Sequence, residues 1–87
     1  MNLNTVGGRL MIARRRKGWT QKEMAELLNE QHGIATDQSF WSHVENGRRG
    51  ISMPVFVAVA DLLEVSLDYL TGRAKQEEQK HEVEYAA

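Results

Sequence analysis

The 87-residue chain contains no cysteine. Neither a disulfide framework nor a thiolate metal site can form, and a reducing compartment, the cytoplasm, is the expected location. No apolar run reaches the roughly 18 residues of a membrane helix, so no membrane partner is expected. Residues 1–8 are polar and the first apolar cluster is interrupted by arginines, so no secretory signal is expected either. A glycine-rich phosphate loop is missing. His32, His43 and His81 lack the spacing of a metal site, with no thiol to assist them. Asp37, His43 and Glu45 are close in sequence but share one short helical segment. The expectation is a protein with no enzymatic activity, no cofactor and no metal.

Net positive charge is also lacking, since the formal balance is −1. Its distribution matters more than its sum. Residues 1–50 hold eight Lys/Arg against five Asp/Glu, whereas residues 74–87 hold two Lys against four Glu. Without that tail the body stands near +1, too little for binding by bulk electrostatics alone. An anionic partner would have to be held by well-placed contacts, doubled in a dimer.

What is present is the composition of one small globular domain. Hydrophobic residues make up 41% and charged residues 26%. The expected division is a domain over 1–73 and a polar tail over 74–87, either a solvated helical extension or disordered. No internal repeat is visible.

Five helices are expected. The first spans 6–17, with Leu10, Ile12 and Ala13 on its apolar face, and Gly18 stops it beyond the basic run Arg14-Arg15-Arg16-Lys17. The second starts at Thr20, where Glu23 completes a capping box and Trp19 and Met24 make a hydrophobic staple. Met24, Ala25, Leu27 and Leu28 form its buried stripe, and the pattern breaks over 29–33. After a turn or short loop at 33–36, Asp37 caps a third helix over 38–46, with Trp41 and Val44 facing inward. Gly47 ends it, leaving the basic exit loop Arg48-Arg49-Gly50. Ser52 caps a fourth helix with Pro54 near its start. A fifth, 66–70, is capped by Ser66 and stopped by Gly72. The expected core is Leu10, Met24, Leu28, Trp41, Val44, Phe56, Ala60, Leu63 and Leu70.

The ordered segments RLMIARRRKGWTQKEMAELL, QSFWSHVENGRR and MPVFVAVADLLEVSLDYLTG resemble the Cro/C1-type helix-turn-helix family, also called the XRE family. The resemblance covers residues 7–72. It implies an all-α, compact five-helix lambda-repressor-like DNA-binding domain. Helices two and three would form the DNA-reading motif, and a symmetric homodimer would bind double-stranded operator DNA. The segment between the second helix start and the ENG motif is about six residues longer than typical. The connection between helices 2 and 3 is therefore expected to be enlarged, through a longer second helix or a larger loop.

Site residues follow from the same resemblance. Gln21 matches the glutamine that contacts a phosphate and buttresses the third helix, a role that suits a helix N-terminus. Gln38 matches a reader of base edges, and a glutamine can pair with adenine N6 and N7. Ser39, Ser42 and His43 lie on the outer face of that helix, within reach of bases or phosphates. Asn46, Arg48 and Arg49 match a phosphate-gripping loop, which positions a protein on DNA without specifying sequence. Arg14 and Glu45 match a structural ion pair between the first and third helices. Phe40 replaces a small polar residue; it is expected to be partly buried beside Trp41, the alternative being contact with a thymine methyl group.

The function expected is sequence-specific transcriptional regulation, as a repressor, with half-sites about one helical turn apart. With no sensing domain expected after Gly72, control would come through expression, dimerisation, a partner protein or degradation. The alternative is an antitoxin or accessory regulator acting mainly through a protein partner. A restriction–modification controller would share the DNA-binding mechanism.

Overall fold

A computed structural model of the chain describes residues 3–74. Five helices follow one another: α1 (Val6–Arg16), α2 (Gln21–His32), α3 (Gln38–Glu45), α4 (Met53–Leu63) and α5 (Leu67–Thr71). Apart from Ala74, the expected polar tail lies outside the described residues.

Local capping chemistry places most boundaries. The Thr5 hydroxyl accepts from the Gly8 N–H at 2.9 Å and starts α1. At α2 the capping box is complete: Thr20 Oγ1 accepts from the Glu23 N–H at 3.0 Å, and Glu23 Oε1 accepts from the Thr20 N–H at 2.9 Å. Asp37 and Ser66 cap α3 and α5 through the N–H groups of Phe40 and Tyr69. Ser52 differs. It occupies the N-cap of α4 in extended backbone, yet its side chain makes no capping bond. Pro54, in the first turn, needs no N–H partner and supplies the pre-set φ instead.

The expected break over 29–33 does not occur. Four further residues, Asn29 to His32, extend α2 until Gly33 takes the left-handed conformation at φ 68°. Once a helix is nucleated, each added residue gains a bond, and nothing before Gly33 forbids it. Asn29, Glu30 and Gln31 are exposed, which is why they carry no apolar periodicity. The extra chain length is thus shared between a longer α2 and a five-residue connection, 33–37.

Helix α1 packs against α3 and α5, α2 against α3 and α4, and α4 against α5. The bundle closes on Leu10, Met24, Leu28, Trp41, Val59, Leu63, Val65 and Leu70, all essentially inaccessible to solvent. Each such side chain contributes about 1.5–3 kcal/mol of transfer free energy. Trp41 sits among them with its one polar atom satisfied, Nε1 donating to Thr36 Oγ1 at 2.8 Å. Phe56, expected in the core, is only half-buried. It belongs to the first turn of α4 and covers a shallow hollow edged by Val6, Gly7, Val44 and Ile51. Leu27 is likewise half-buried, packed on the core from outside.

Gly7 lets α1 come close to the backbone of α3. A Cβ there would fall on the Val44 carbonyl oxygen and within 2.6 Å of the Glu45 carbonyl oxygen. Neither is a flexible side chain, so α1 or α3 would have to move. Gly7→Ala is expected to cost about 1–3 kcal/mol by overpacking, measured by urea denaturation. An unchanged midpoint would show that the α1–α3 contact is looser than described.

Candidate nucleic-acid interface

The third helix is held by polar bonds as well as by its apolar side. Arg14 Nε donates to Glu45 Oε2 at 2.8 Å and its Nη2 to Glu45 Oε1 at 3.0 Å, a two-pronged pair between α1 and the end of α3. Both side chains are buried, at 8% and 2% exposure. The remaining terminal nitrogen of Arg14 donates to the Trp19 carbonyl at 2.7 Å. The network then crosses to α2, where Gln21 Nε2 donates to Glu45 Oε1 at 3.0 Å. It returns to α3 through Gln38, whose Nε2 donates to Gln21 Oε1 at 3.2 Å. One connected chain, Arg14–Glu45–Gln21–Gln38, thus ties both ends of α3 to the two helices beneath it.

Successive residues of a helix step about 100° around its axis. Trp41, Val44 and Glu45 occupy the buried side. Opposite them fall Ser39 and His43, both exposed, with half-buried Ser42 on the adjoining flank. Gln38 lies on the flank nearer α2, within the network. The outward face therefore carries short polar groups and one imidazole on a helix that is firmly seated. Its dimensions suit the major groove of a duplex, where hydrogen-bonding edges are read.

The basic loop leaves from the end of this face. Asn46 caps α3, and its Nδ2 donates to the Ser42 carbonyl at 2.8 Å. Gly47 turns the chain at φ 75°. The Arg48 N–H then bonds back to the His43 carbonyl at 2.8 Å, so the loop starts from a fixed point. Arg48 and Arg49 are both exposed. The Arg49 guanidinium lies over the Phe40 ring, 4.3 Å from its centroid.

A family model described as a helix-turn-helix domain matches residues 5–72 of the chain. The chain belongs to this helix-turn-helix family, in its XRE/Cro-type branch. Among curated relatives, it is similar to the HTH-type transcriptional regulator AnsR of Bacillus subtilis (strain 168), with 36% identity over 78 residues. The match takes in 90% of this chain and 59% of AnsR, so the chain spans under two thirds of that relative's length. No solved structure matches it.

Within this helix-turn-helix, the structure brings Arg14, Gln21, Gln38 and Glu45 into one network, and places Ser39, Ser42 and His43 on one face. Asn46 is turned back onto its own helix, and Arg48 and Arg49 stand on the loop beyond. Two partners were not legible in the sequence. Thr36 accepts from Trp41, and the Arg49 guanidinium lies over the Phe40 ring. Both contacts join different elements, and no periodicity marks them. Phe40 is partly buried, with its ring edge-on to Trp41 at 4.9 Å. Among the described residues, no group of three or more His, Cys, Asp or Glu is placed to hold a metal ion. Nor is any helix among them long and apolar enough to cross a membrane.

The buried ion pair has a characteristic energetic signature. Arg14→Met alone and Glu45→Leu alone should each cost about 3–5 kcal/mol, because each strands a buried charge. The double replacement should cost clearly less than their sum in a urea double-mutant cycle. Additive losses would mean that the two charges are solvated independently.

Proposed function

We propose that the chain is a sequence-specific double-stranded DNA-binding transcriptional regulator, acting as a repressor in the cytoplasm. The observation that carries this reading is the seating of α3. Its inner side is locked by the Arg14–Glu45–Gln21–Gln38 network, while its outer side presents short polar groups and His43. Membership of the helix-turn-helix family and the regulator named among its relatives support the same reading. The function assigned is equilibrium binding, with no catalytic step.

In this reading α3 enters the major groove. Gln38 reads a base edge with its amide orientation set by Gln21. Ser39, Ser42 and His43 contact bases or flanking phosphates. Gln21, Asn46, Arg48 and Arg49 hold the backbone. A net charge of −1 makes directed contacts more important than general attraction. A homodimer is part of the proposal, since doubling the contacts compensates for the weak charge of one domain.

A second reading, in which a protein partner is the main ligand, as for an antitoxin or accessory regulator, is favoured by one observation. Met53 and Val57 are 62% and 46% exposed and lie one turn apart on α4. Such residues suit a protein contact. Selection of bound duplexes from a random pool separates the two readings. Enrichment of a palindromic site supports the regulator, whereas no binding at low salt together with tight binding of a co-purified protein supports the second reading.

The residue roles are checked on the enriched duplex. Gln38→Ala should lower discrimination at one base pair by about 1–3 kcal/mol. Arg48→Ala should weaken all duplexes alike and reduce the salt slope by about 1. Equal losses on every sequence for both variants would sink these assignments.

A further inference from the structure

On the flank of α3 away from Gln38, an aromatic ring stands where its helix otherwise offers polar groups to the outside. Phe40 lies about 200° around the axis from Gln38, between the buried and the outer sides. Its inner edge is fixed by Trp41, with ring centroids 4.9 Å apart and planes at 78°. Trp41 is itself fully buried and anchored by Thr36. The ring is thus held from within, with part of its surface left accessible.

That accessible part carries Arg49. The guanidinium carbon is 4.3 Å from the ring centroid, well inside the roughly 6 Å reach of a cation–π contact. Arg49 Nε donates to the Gly50 carbonyl at 3.3 Å, which ties the head group to its own loop. Among the described residues no carboxylate pairs with Arg49. Its terminal nitrogens remain as a planar fork. Ser39, His43 and Arg49 line the same shallow groove, together with Phe40 and Asp37. The fork therefore stands beside the face assigned to the duplex.

We propose that Phe40 is a positioning residue: it holds the Arg49 guanidinium over its ring beside Ser39 and His43, ready for a two-pronged bond to paired acceptors on the duplex. This rests on the DNA-binding reading and deepens it. A free arginine on an exposed loop loses rotamer freedom when it binds, and stacking on a fixed ring removes much of that cost beforehand. The acceptors are either two phosphate oxygens or the O6 and N7 edge of a guanine, which share the same geometry. A lysine at position 49 would keep the charge but lose both the planar stack and the fork.

The test is a binding cycle with the full chain on the duplex enriched by the wild-type protein. Phe40→Leu should weaken binding about two- to fivefold, the range expected for an exposed cation–π contact. The same change in an Arg49→Gln background should have no further effect on affinity. Phe40→Tyr, which keeps the ring, should restore wild-type affinity, separating stacking from simple packing. Arg49→Gln should lower the salt slope by about 1 and weaken all duplexes equally if the acceptors are phosphates. It should instead erase preference at one G·C pair if they belong to guanine. A Phe40→Leu loss that persists in the Arg49→Gln background, or that Phe40→Tyr fails to reverse, overturns the positioning role while leaving DNA binding intact. Absence of duplex binding by the wild-type chain at low salt overturns both.

Discussion

A single buried ion pair constrains the rest of the domain. Arg14 and Glu45 leave water almost completely, and the desolvation of two charges is tolerable only when their hydrogen-bonding capacity is met. That requirement dictates the surroundings. Glu45 takes two bonds from Arg14 and a third from Gln21, and the spare nitrogen of Arg14 is taken by the Trp19 carbonyl. Each donor and acceptor has a direction, so the pair accepts only a narrow range of α3 orientations. Apolar packing around Trp41 would hold α3 against the bundle but would not prevent a small rotation. Gly7 completes the constraint, because the α3 carbonyls come so near α1 that no side chain fits between.

The outer surface inherits this order. Since the network runs through Gln21 to Gln38, the first outward group of α3 is oriented by a charge that never reaches the surface. At the other end, Asn46 and the Arg48 N–H bond back to α3 and launch the basic loop from a defined position. The two flanks are held by different physics. One uses directional hydrogen bonds between amides, whereas the other uses a cation over the half-buried Phe40 ring, itself braced by buried Trp41. Under the proposed DNA-binding function, a weakly charged domain needs its few contacts ordered beforehand, and the order on both flanks fits that need.

Much of the architecture was legible along the chain. Thr20 with Glu23, Asp37 and Ser66 marked three helix starts, because a capping bond spans only three residues. Gly18, Gly47 and Gly72 marked helix ends where a left-handed backbone is needed. The expectations that failed involved longer-range balance. Polar residues 29–32 resembled the end of a helix, yet they form its last turn, exposed at Asn29, Glu30 and Gln31. Phe56 fits the apolar pattern of α4, but that pattern cannot tell the centre of the bundle from its edge. Val65 is fully buried although it stands between two helices, where periodicity has nothing to say. Glu64, just before it, adopts φ 58° at the end of α4, and neither residue carries a turn signal.

The sequence by itself determined five helices, their starts, most of their core residues and the family to which the chain belongs. These depend on interactions within one or two helical turns and on the order of short motifs. Resemblance also placed Arg14 opposite Glu45, though not the full saturation of their bonds. Only the tertiary structure decided that Gln21 joins that pair to Gln38, that Thr36 holds the indole of Trp41, and that Arg49 rests on Phe40. The reason is geometric. Such contacts depend on the angle and separation of packed helices to within a fraction of an ångström, and no spacing along the chain encodes those directly.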